Sequence, residues 1–441
     1  MSYELSHFPP ALFDSINVFR KADKPQLAHA ISEHARDGIL DHVPETQKYV
    51  IDGGSLLHRM LWRKGESYGV IAQSYADFTV RQYGVGTTVV FDGYEQGPSI
   101  KDNTQLRRGQ NMYPVISFTA DTEFSGKKDE FLSIGSNKQK FIWLVSDALR
   151  KMDCIVMNAQ GDADVDIVKA AVEISRLHTT TLMGEDTDLL VLLLHYVKPH
   201  CKSLYFRSDK TTGKAKVYNI NYLKEMIGND LSSQLLFIHA MTGCDTTSRI
   251  FGVGKKSAFH KLVKGDTILR YSANAFSVPH QPTEVIDDLG CQAMAVLFGG
   301  KSTDSLAKMR YNNFSKKVVS SSSFVTPERL PPTDSTTKLH SRRVYYQVMT
   351  WICKAEGMDA MDWGWNLQDN RLVPVMSTMN AAPDMLLKVI HCNCLNSCKT
   401  LRCSCRKNGL PCTSACGPCQ VTKCNNPHNK IPLEENGDED D

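Results

Sequence analysis

Thr179-Thr180-Thr181-Leu182-Met183-Gly184-Glu185-Asp186-Thr187-Asp188 holds a strand, a glycine break and three carboxylates in one short run. The six apolar residues that follow, Leu189 to Leu194, read as a buried strand or helix. The same order recurs upstream. Lys48-Tyr49-Val50-Ile51 reads as a buried strand closed by Asp52, with a helix from Gly54 to Arg63. Gly86 to Phe91 is a second strand, closed by Asp92. Gln139 to Met152 is amphipathic and helical, and Cys154-Ile155-Val156-Met157 is a third strand. After it come Gln160-Gly161-Asp162-Ala163-Asp164-Val165-Asp166 and a helix from Val165 to Leu177; a further strand is expected at Ser203 to Phe206. Strands separated by helices imply an α/β fold with a central, mainly parallel sheet covered on both faces. Ligand sites in such sheets lie beyond the carboxyl ends of the strands.

An Asp after a strand is by itself more often a helix N-cap than a ligand. Asp166 and Glu185 read as caps or solvated groups. Asp52, Asp92, Asp162, Asp164, Asp186, Asp188 and, in Thr242-Gly243-Cys244-Asp245-Thr246-Thr247, Asp245 form a set that capping does not explain, since D-x-D occurs twice. Carboxylates massed at one sheet edge repel unless a cation neutralises them. Hard oxygen donors around a shared point suit Mg2+ or Mn2+, and two such ions about 4 Å apart can clamp an in-line phosphoryl displacement. Downstream, Arg249-Ile250-Phe251-Gly252-Val253-Gly254-Lys255-Lys256-Ser257 has the shape of a turn that offers backbone N–H groups to a phosphate at a helix start.

The C-terminal region carries a second chemistry. Cys392, Cys394, Cys398, Cys403, Cys405, Cys412, Cys416, Cys419 and Cys424 fall within 33 residues. Nine is odd, so paired disulfides cannot use them all. Thiolates at such spacings suit zinc, four to each tetrahedral ion. Three Zn2+ need twelve positions, which nine cysteines fill if three of them bridge. From Leu386 to Leu433 there are seven Lys and Arg and no Asp or Glu. Lys399, Arg402, Arg406, Lys407 and Lys423 are the candidates for salt-dependent contacts to nucleic-acid phosphates. A purely structural knot or a protein-docking module is the other reading of this segment.

The chain has 441 residues, 41% hydrophobic and 22% charged, with 51 Lys+Arg against 48 Asp+Glu. The near-neutral balance means that any nucleic-acid affinity comes from local patches. No stretch has signal-peptide or membrane-spanning character. Cys154, Cys201, Cys244, Cys291 and Cys353 are scattered and read as small buried hydrophobes. A reducing, intracellular setting follows from this cysteine usage. The expected organisation is an N-terminal extension over 1–46 and a main domain over 47–300. A linker and small helical docking region (301–385), a zinc-cluster module (386–430) and an acidic tail (431–441) follow. Between Tyr113 and Asn137, Ser, Gly and Lys dominate, as in a mobile or arch-like insertion.

Taken together, residues from about Gln47 to Leu262 resemble the flap endonuclease family, the PIN-like structure-specific 5′-nucleases. The resemblance implies a PIN-like 5′-nuclease fold with a helix–two-turn–helix element at about 240–265, and two Mg2+ or Mn2+ on the seven aspartates. It implies that Lys101 and Arg108 approach the scissile phosphate, that His58 stacks on a base, and that Gly252, Gly254, Lys255 and Lys256 grip duplex DNA with help from K+. Departures are visible. Asp162 and Asp164 stand where relatives usually carry Glu, and the chain begins Met1-Ser2-Tyr3 in place of the family's Met-Gly-Ile. The cysteine segment is similar to tesmin-type CXC domains, which implies a three-zinc, nine-cysteine cluster that binds DNA. The implied function is metal-dependent hydrolysis of DNA, branched or duplex, with RNA left open and nuclear residence following from the DNA. A catalytically inactive DNA-binding or chromatin-associated protein on the same scaffold is the alternative.

Overall fold

A computed structural model of the chain describes residues 1–6, 8–94, 98–101, 113–208, 216–320, 325–383, 391–395, 397–412, 416, 419 and 424–430. Eleven strands are present among them. In chain order they are β1 (Phe13–Ser15), β2 (Val18–Phe19), β3 (Ile39–Leu40), β4 (Lys48–Asp52), β5 (Thr88–Phe91), β6 (Ile155–Asn158), β7 (Thr180–Met183), β8 (Leu204–Arg207), β9 (Val217–Asn219), β10 (Trp365–Gln368) and β11 (Arg371–Pro374). Seven of them form one sheet in the order β3-β9-β8-β7-β4-β5-β6. The run β8-β7-β4-β5-β6 is parallel throughout, and β9 and β3 extend it antiparallel. The expected α/β architecture with a mainly parallel sheet is therefore the one the chain adopts.

Side chains alternate across the sheet and feed two cores. Val50, Val90 and Leu182 pack on one face with the 189–194 run. Ile51, Val89, Phe91 and Met183 pack on the other with Leu56, Tyr75, Phe141 and Val145. The Leu189–Leu194 run is helical, inside Thr187–Tyr196, and every one of its six side chains is buried. An apolar run of that length fits a strand or a helix equally well, and its position after Asp186 as cap resolves it here.

The chain leaves β4 to build β5 and β6 on one side, then returns to place β7 and β8 on the other. That reversal puts a crevice between the carboxyl ends of β4 and β7, the place where open α/β sheets hold ligands. Two glycines let the strand exits close up. A Cβ on Gly53 would lie 2.3 Å from the Phe91 ring, and one on Gly184 would lie 2.6 Å from Leu189 Cδ1 and 3.5 Å from Asp52 Cβ.

Three expectations about organisation change. Residues 1–46 are not an appendage: Leu12, Phe13, Phe19, Leu27 and Ile31 are fully buried in the main core. The docking region joins the same core through the helix Asp334–Trp351, which packs on Thr283–Leu297 and Asn229–Met241. Its three tryptophans belong there too, Trp351 and Trp365 buried and Trp363 packed against them. The linker contains a helix, Leu306–Ser320. Its Arg310 is fully buried and donates to the carbonyls of Met1, Tyr3 and Pro331, so it ties the first residues down. Lastly, Tyr113–Asn137 is packed. Phe124 and Phe131 are buried, and Asn137 accepts from Ile116 N at 2.8 Å and donates to Pro114 O at 3.1 Å. Among the described residues no helix is long and apolar enough to cross a membrane.

Candidate metal centre and cysteine cluster

Asp52 and Asp186 each fix themselves through one oxygen and turn the other to the crevice, whereas Asp92 is held through both. Asp52 Oδ1 caps the helix Gly53–Arg59, accepting from Gly54 N at 2.8 Å and Ser55 N at 3.2 Å. Asp186 Oδ1 accepts from Asp188 N at 2.9 Å and caps Thr187–Tyr196. Asp92 Oδ1 accepts from Ala163 N at 3.1 Å, which locks the β5 end to the β6 loop, and Asp92 Oδ2 accepts from Tyr94 OH at 3.1 Å. Capping and cation binding are thus compatible roles of the same side chain.

The structure brings Asp52, Asp92, Asp162, Asp164, Asp186, Asp188 and Asp245 into one electrostatically linked group. Asp52 feels Asp92 and Asp186; Asp164 feels Asp162, Asp186 and Asp188; Asp186 feels Asp188 and Asp245. Burial first, then this mutual repulsion, pushes the Asp52 and Asp186 carboxyls up to about 6. Burial also pushes Asp164 and Asp188 upward, against lysines that pull the other way.

Two of those lysines lie inside the cluster. Lys101 Nζ is 2.6 Å from Asp162 Oδ1 and 3.8 Å from Asp164 Oδ2. Lys24 Nζ is 2.7 Å from Asp186 Oδ2, 3.1 Å from Asp188 Oδ2 and 2.9 Å from Asp245 Oδ1. The sequence reading missed Lys24. It stands before Pro25 at the start of the helix Pro25–His34, far from every motif, and only the return of the N-terminal segment into the core brings it here. Seven aspartates against two lysines, once ionised, would leave a surplus of negative charge that divalent cations relieve. The donor set fits such ions: carboxylate oxygens of Asp186, Asp188 and Asp245 lie within 4.8 Å of one another. That is the hard, oxygen-only chemistry of Mg2+ and Mn2+.

Behind Asp188 lies a buried relay the sequence reading also missed. Asp188 Oδ1 is 2.7 Å from His239 Nε2, and His239 Nδ1 is 3.1 Å from Lys255 Nζ. Lys255 donates to His239 O at 2.7 Å and to Thr242 Oγ1 at 3.1 Å, and burial lowers its amine to about 7. The expectation that Lys255 contacts DNA is corrected by this placement, because the residue is 2% exposed. The signal was present in the sequence: Lys255, Ala258, Phe259 and Leu262 share one helical stripe, and all four are buried. Lys256, on the outer side, pairs with Glu33 at 2.7 Å. It lines a shallow basic groove with His260, Lys261 and Lys264. Gly252 is in the left-handed region at φ +77, and Gly254 precedes the helix Lys255–Val263. His58 is exposed near the end of the helix that Asp52 caps. Arg108 lies outside the described residues.

The nine cysteines form a second centre. No disulfide joins any of them. Cys392 Sγ is 3.9 Å from Cys398 Sγ and Cys412 Sγ and 3.8 Å from Cys419 Sγ; Cys403 to Cys412 is 3.9 Å and Cys405 to Cys416 is 3.4 Å. A disulfide would need about 2.0 Å. A tetrahedral zinc with Zn–S near 2.3 Å separates its sulfurs by about 3.8 Å. The thiols are therefore spaced for a shared metal. Three four-sulfur sets are close enough to hold an ion: Cys392, Cys405, Cys412, Cys416; Cys392, Cys398, Cys403, Cys412; and Cys398, Cys412, Cys419, Cys424. Cys412 belongs to all three, and Cys392 and Cys398 to two each. Cys394 packs against the cluster. Asn426 Nδ2 donates to Cys412 Sγ at 3.4 Å, the kind of outer-sphere bond that favours a thiolate. Lys399, Arg402 and Lys407 are exposed around it and Arg406 is half-buried, while Lys423 lies outside the described residues.

No protein-family model matches the chain, and no curated protein does. Solved structures do. The catalytic core of Rad2 in complex with DNA substrate (complex II) is similar at 11% identity and a TM-score of 0.39, over 72% of this chain and 85% of that one. Flap endonuclease-1 from Methanococcus jannaschii is similar at 14% identity and a TM-score of 0.31, over 69% and 93%. The eukaryotic junction-resolving enzyme GEN-1 binding with cesium is similar at 15% identity and a TM-score of 0.29, over 69% and 66%. These are likenesses at low identity and low TM-score, so function rests on the geometry of the site.

Proposed function

We propose that the chain is a divalent-metal-dependent nuclease of the flap endonuclease type, hydrolysing phosphodiester bonds in branched or duplex DNA. The observation that carries this reading is the convergence of seven aspartates, from four strand ends and one later loop, on the crevice where the sheet reverses. Asp52, Asp92, Asp164, Asp186, Asp188 and Asp245 would hold two Mg2+ or Mn2+, with Asp162 beside them. Ions so held supply the charge neutralisation that an in-line displacement at phosphorus demands. Asp52 and Asp186, pinned through one oxygen each, keep the donor set in place as the substrate arrives. Lys101, which pairs with Asp162, would meet a phosphate oxygen, and Arg108 is assigned the same role from the family resemblance. Gly252, Gly254 and Lys256 would present a turn and a cation to the duplex backbone, with K+ as in relatives, and His58 would stack on a base.

The cysteine centre would hold three Zn2+ as a CXC-type module. Lys399, Arg402, Arg406, Lys407 and Lys423 would add phosphate contacts that tether the nuclease to DNA in the nucleus. One observation favours a second reading, an inactive DNA-binding scaffold: Lys24 and Lys101 already neutralise part of the carboxylate group. A panel of flap, nicked, single-stranded DNA and RNA substrates with Mg2+ or Mn2+ separates the two. The nuclease reading expects cleavage that Asp186→Ala abolishes; no cleavage of any substrate in either metal leaves the scaffold reading.

A further inference from the structure

Lys24 reaches the carboxylates from an unexpected direction. It belongs to the segment before β3, its side chain is 13% exposed, and its ammonium sits within 3.1 Å of oxygens from Asp186, Asp188 and Asp245. Those are the same three carboxylates whose oxygens lie close enough together to share one ion. We propose that Lys24 is a resident counter-charge that competes with a divalent cation for this pocket, so that it sets the metal concentration at which the pocket fills. The inference rests on the nuclease reading of the site and deepens it by assigning its regulation to one side chain.

The pocket is held open by its surroundings. Asp188 is fixed by His239 through its other oxygen, and Asp186 by its cap bond. Neither carboxylate can turn away to release the lysine. An ion bound by the same oxygens at about 2.1 Å would stand where the ammonium now stands, and two cations do not share one cage. The stem of Lys24 rises from a fixed base, its carbonyl accepting from Leu27 N at 3.1 Å. Asp23 Oδ2 accepts from Gln26 Nε2 at 2.6 Å, and Pro25 opens the helix that packs on Thr187–Tyr196 and Lys255–Val263. A flexible four-carbon stem on a fixed base can swing its charge out of the pocket, which a larger planar guanidinium does less readily. One pocket would then alternate between two occupants, the Lys24 ammonium or a divalent cation with the lysine swung out.

The test counts metal and does not depend on turnover. Mn2+ is held poorly by thiolates, so the cysteine cluster stays out of the count. The full chain is titrated with Mn2+ while free Mn2+ is read by electron paramagnetic resonance, for the wild type and for Lys24→Met, Lys24→Gln and Lys24→Arg. Lys24→Met and Lys24→Gln should fill the weaker Mn2+ position at least tenfold lower in metal, or bind one more Mn2+ per chain over the same range. Lys24→Arg should titrate like the wild type or more weakly. Without metal, the two neutral variants should melt below the wild type, and Mn2+ should raise them more. Should either neutral variant fold only when Mn2+ is present, that dependence supports the proposal as well. Identical titrations of the wild type and both neutral variants overturn it. The two readings fail separately: a shifted count without cleavage removes the nuclease, and cleavage with an unchanged count removes the role of Lys24.

Discussion

Asp52 and Asp186 show how one residue type serves two purposes, each closing a helix N-terminus with one oxygen and facing its neighbours with the other. Their folded carboxyls titrate near 6, above the ordinary carboxylate value, because burial and adjacent aspartates disfavour the charge. A carboxyl with a raised folded pKa holds its proton more tightly folded than unfolded. The stability it contributes is present at low pH and is lost as pH rises from about 4 to about 6. A cation must displace those protons, so its hold strengthens over the same window. We expect the melting temperature to rise with Mn2+ by more at pH 7 than at pH 5; an equal or smaller rise at pH 7 in calorimetry would count against the cluster as a cation site. Six of the seven aspartates were legible in the sequence because they follow strands, while Asp245 stands in a loop after a helix. Lys24 was not, since its position depends on a tertiary return that no local spacing encodes. His239 was hidden for a related reason: on the buried helix Asn229–Met241 it looks like any core histidine until Asp188 and Lys255 are seen on either side of it.

At the scale of elements, the strands and helices around the site fell within a few residues of expectation, because β4, β5 and β7 are short, largely buried runs that each end at or within three residues of an aspartate. Segments without periodicity were misread. Polar composition suggested an arch at Tyr113–Asn137, yet two buried phenylalanines and the side chain of one buried asparagine hold it down. Removing that side chain takes a partner from a backbone N–H and a carbonyl, at a cost of about 1 kcal/mol, since Pro114 is exposed and Ile116 half-buried. Asn137→Ala should therefore lower the urea midpoint, and hydrogen exchange should quicken at Ile116 first. A midpoint equal to the wild type would mean that the segment is as loose as its composition suggests. The helix Leu306–Ser320 escaped notice similarly. The Ser, Thr, Lys and Pro of the surrounding stretch read as linker, whereas Leu306 is buried and the buried Arg310 guanidinium is bound to carbonyls.

For the whole molecule, the core runs across the boundaries drawn from composition. Phe13 and Phe19 are fully buried, and their rings meet at 5.4 Å in the core shared by both ends of the main body. Phe19→Ala should cost about 3–5 kcal/mol and unfold the main body cooperatively, as read by denaturant melts. An N-terminal segment that merely decorates the domain would give a change near zero. The cysteine centre offers a sharper contrast. Cys412 takes part in all three four-sulfur sets and Cys394 in none of them. Zinc measured by mass spectrometry should fall to one ion or fewer per chain in Cys412→Ser, and Cys394→Ser should retain at least two. Equal losses in both would contradict the sharing of Cys412.

The account depends on aspartates from separate elements acting as one cutting centre. Asp92, Asp186 and Asp245 come from the end of β5, the end of β7 and the loop after Asn229–Met241. The most direct measurement is cleavage of a 5′-flap duplex in Mn2+ by the wild type and by Asp92→Asn, Asp186→Asn and Asp245→Asn, with DNA binding measured alongside. Each variant should lose at least a hundredfold in rate while binding the flap as tightly as the wild type. Full cleavage by any of the three, or none by the wild type, would contradict the account.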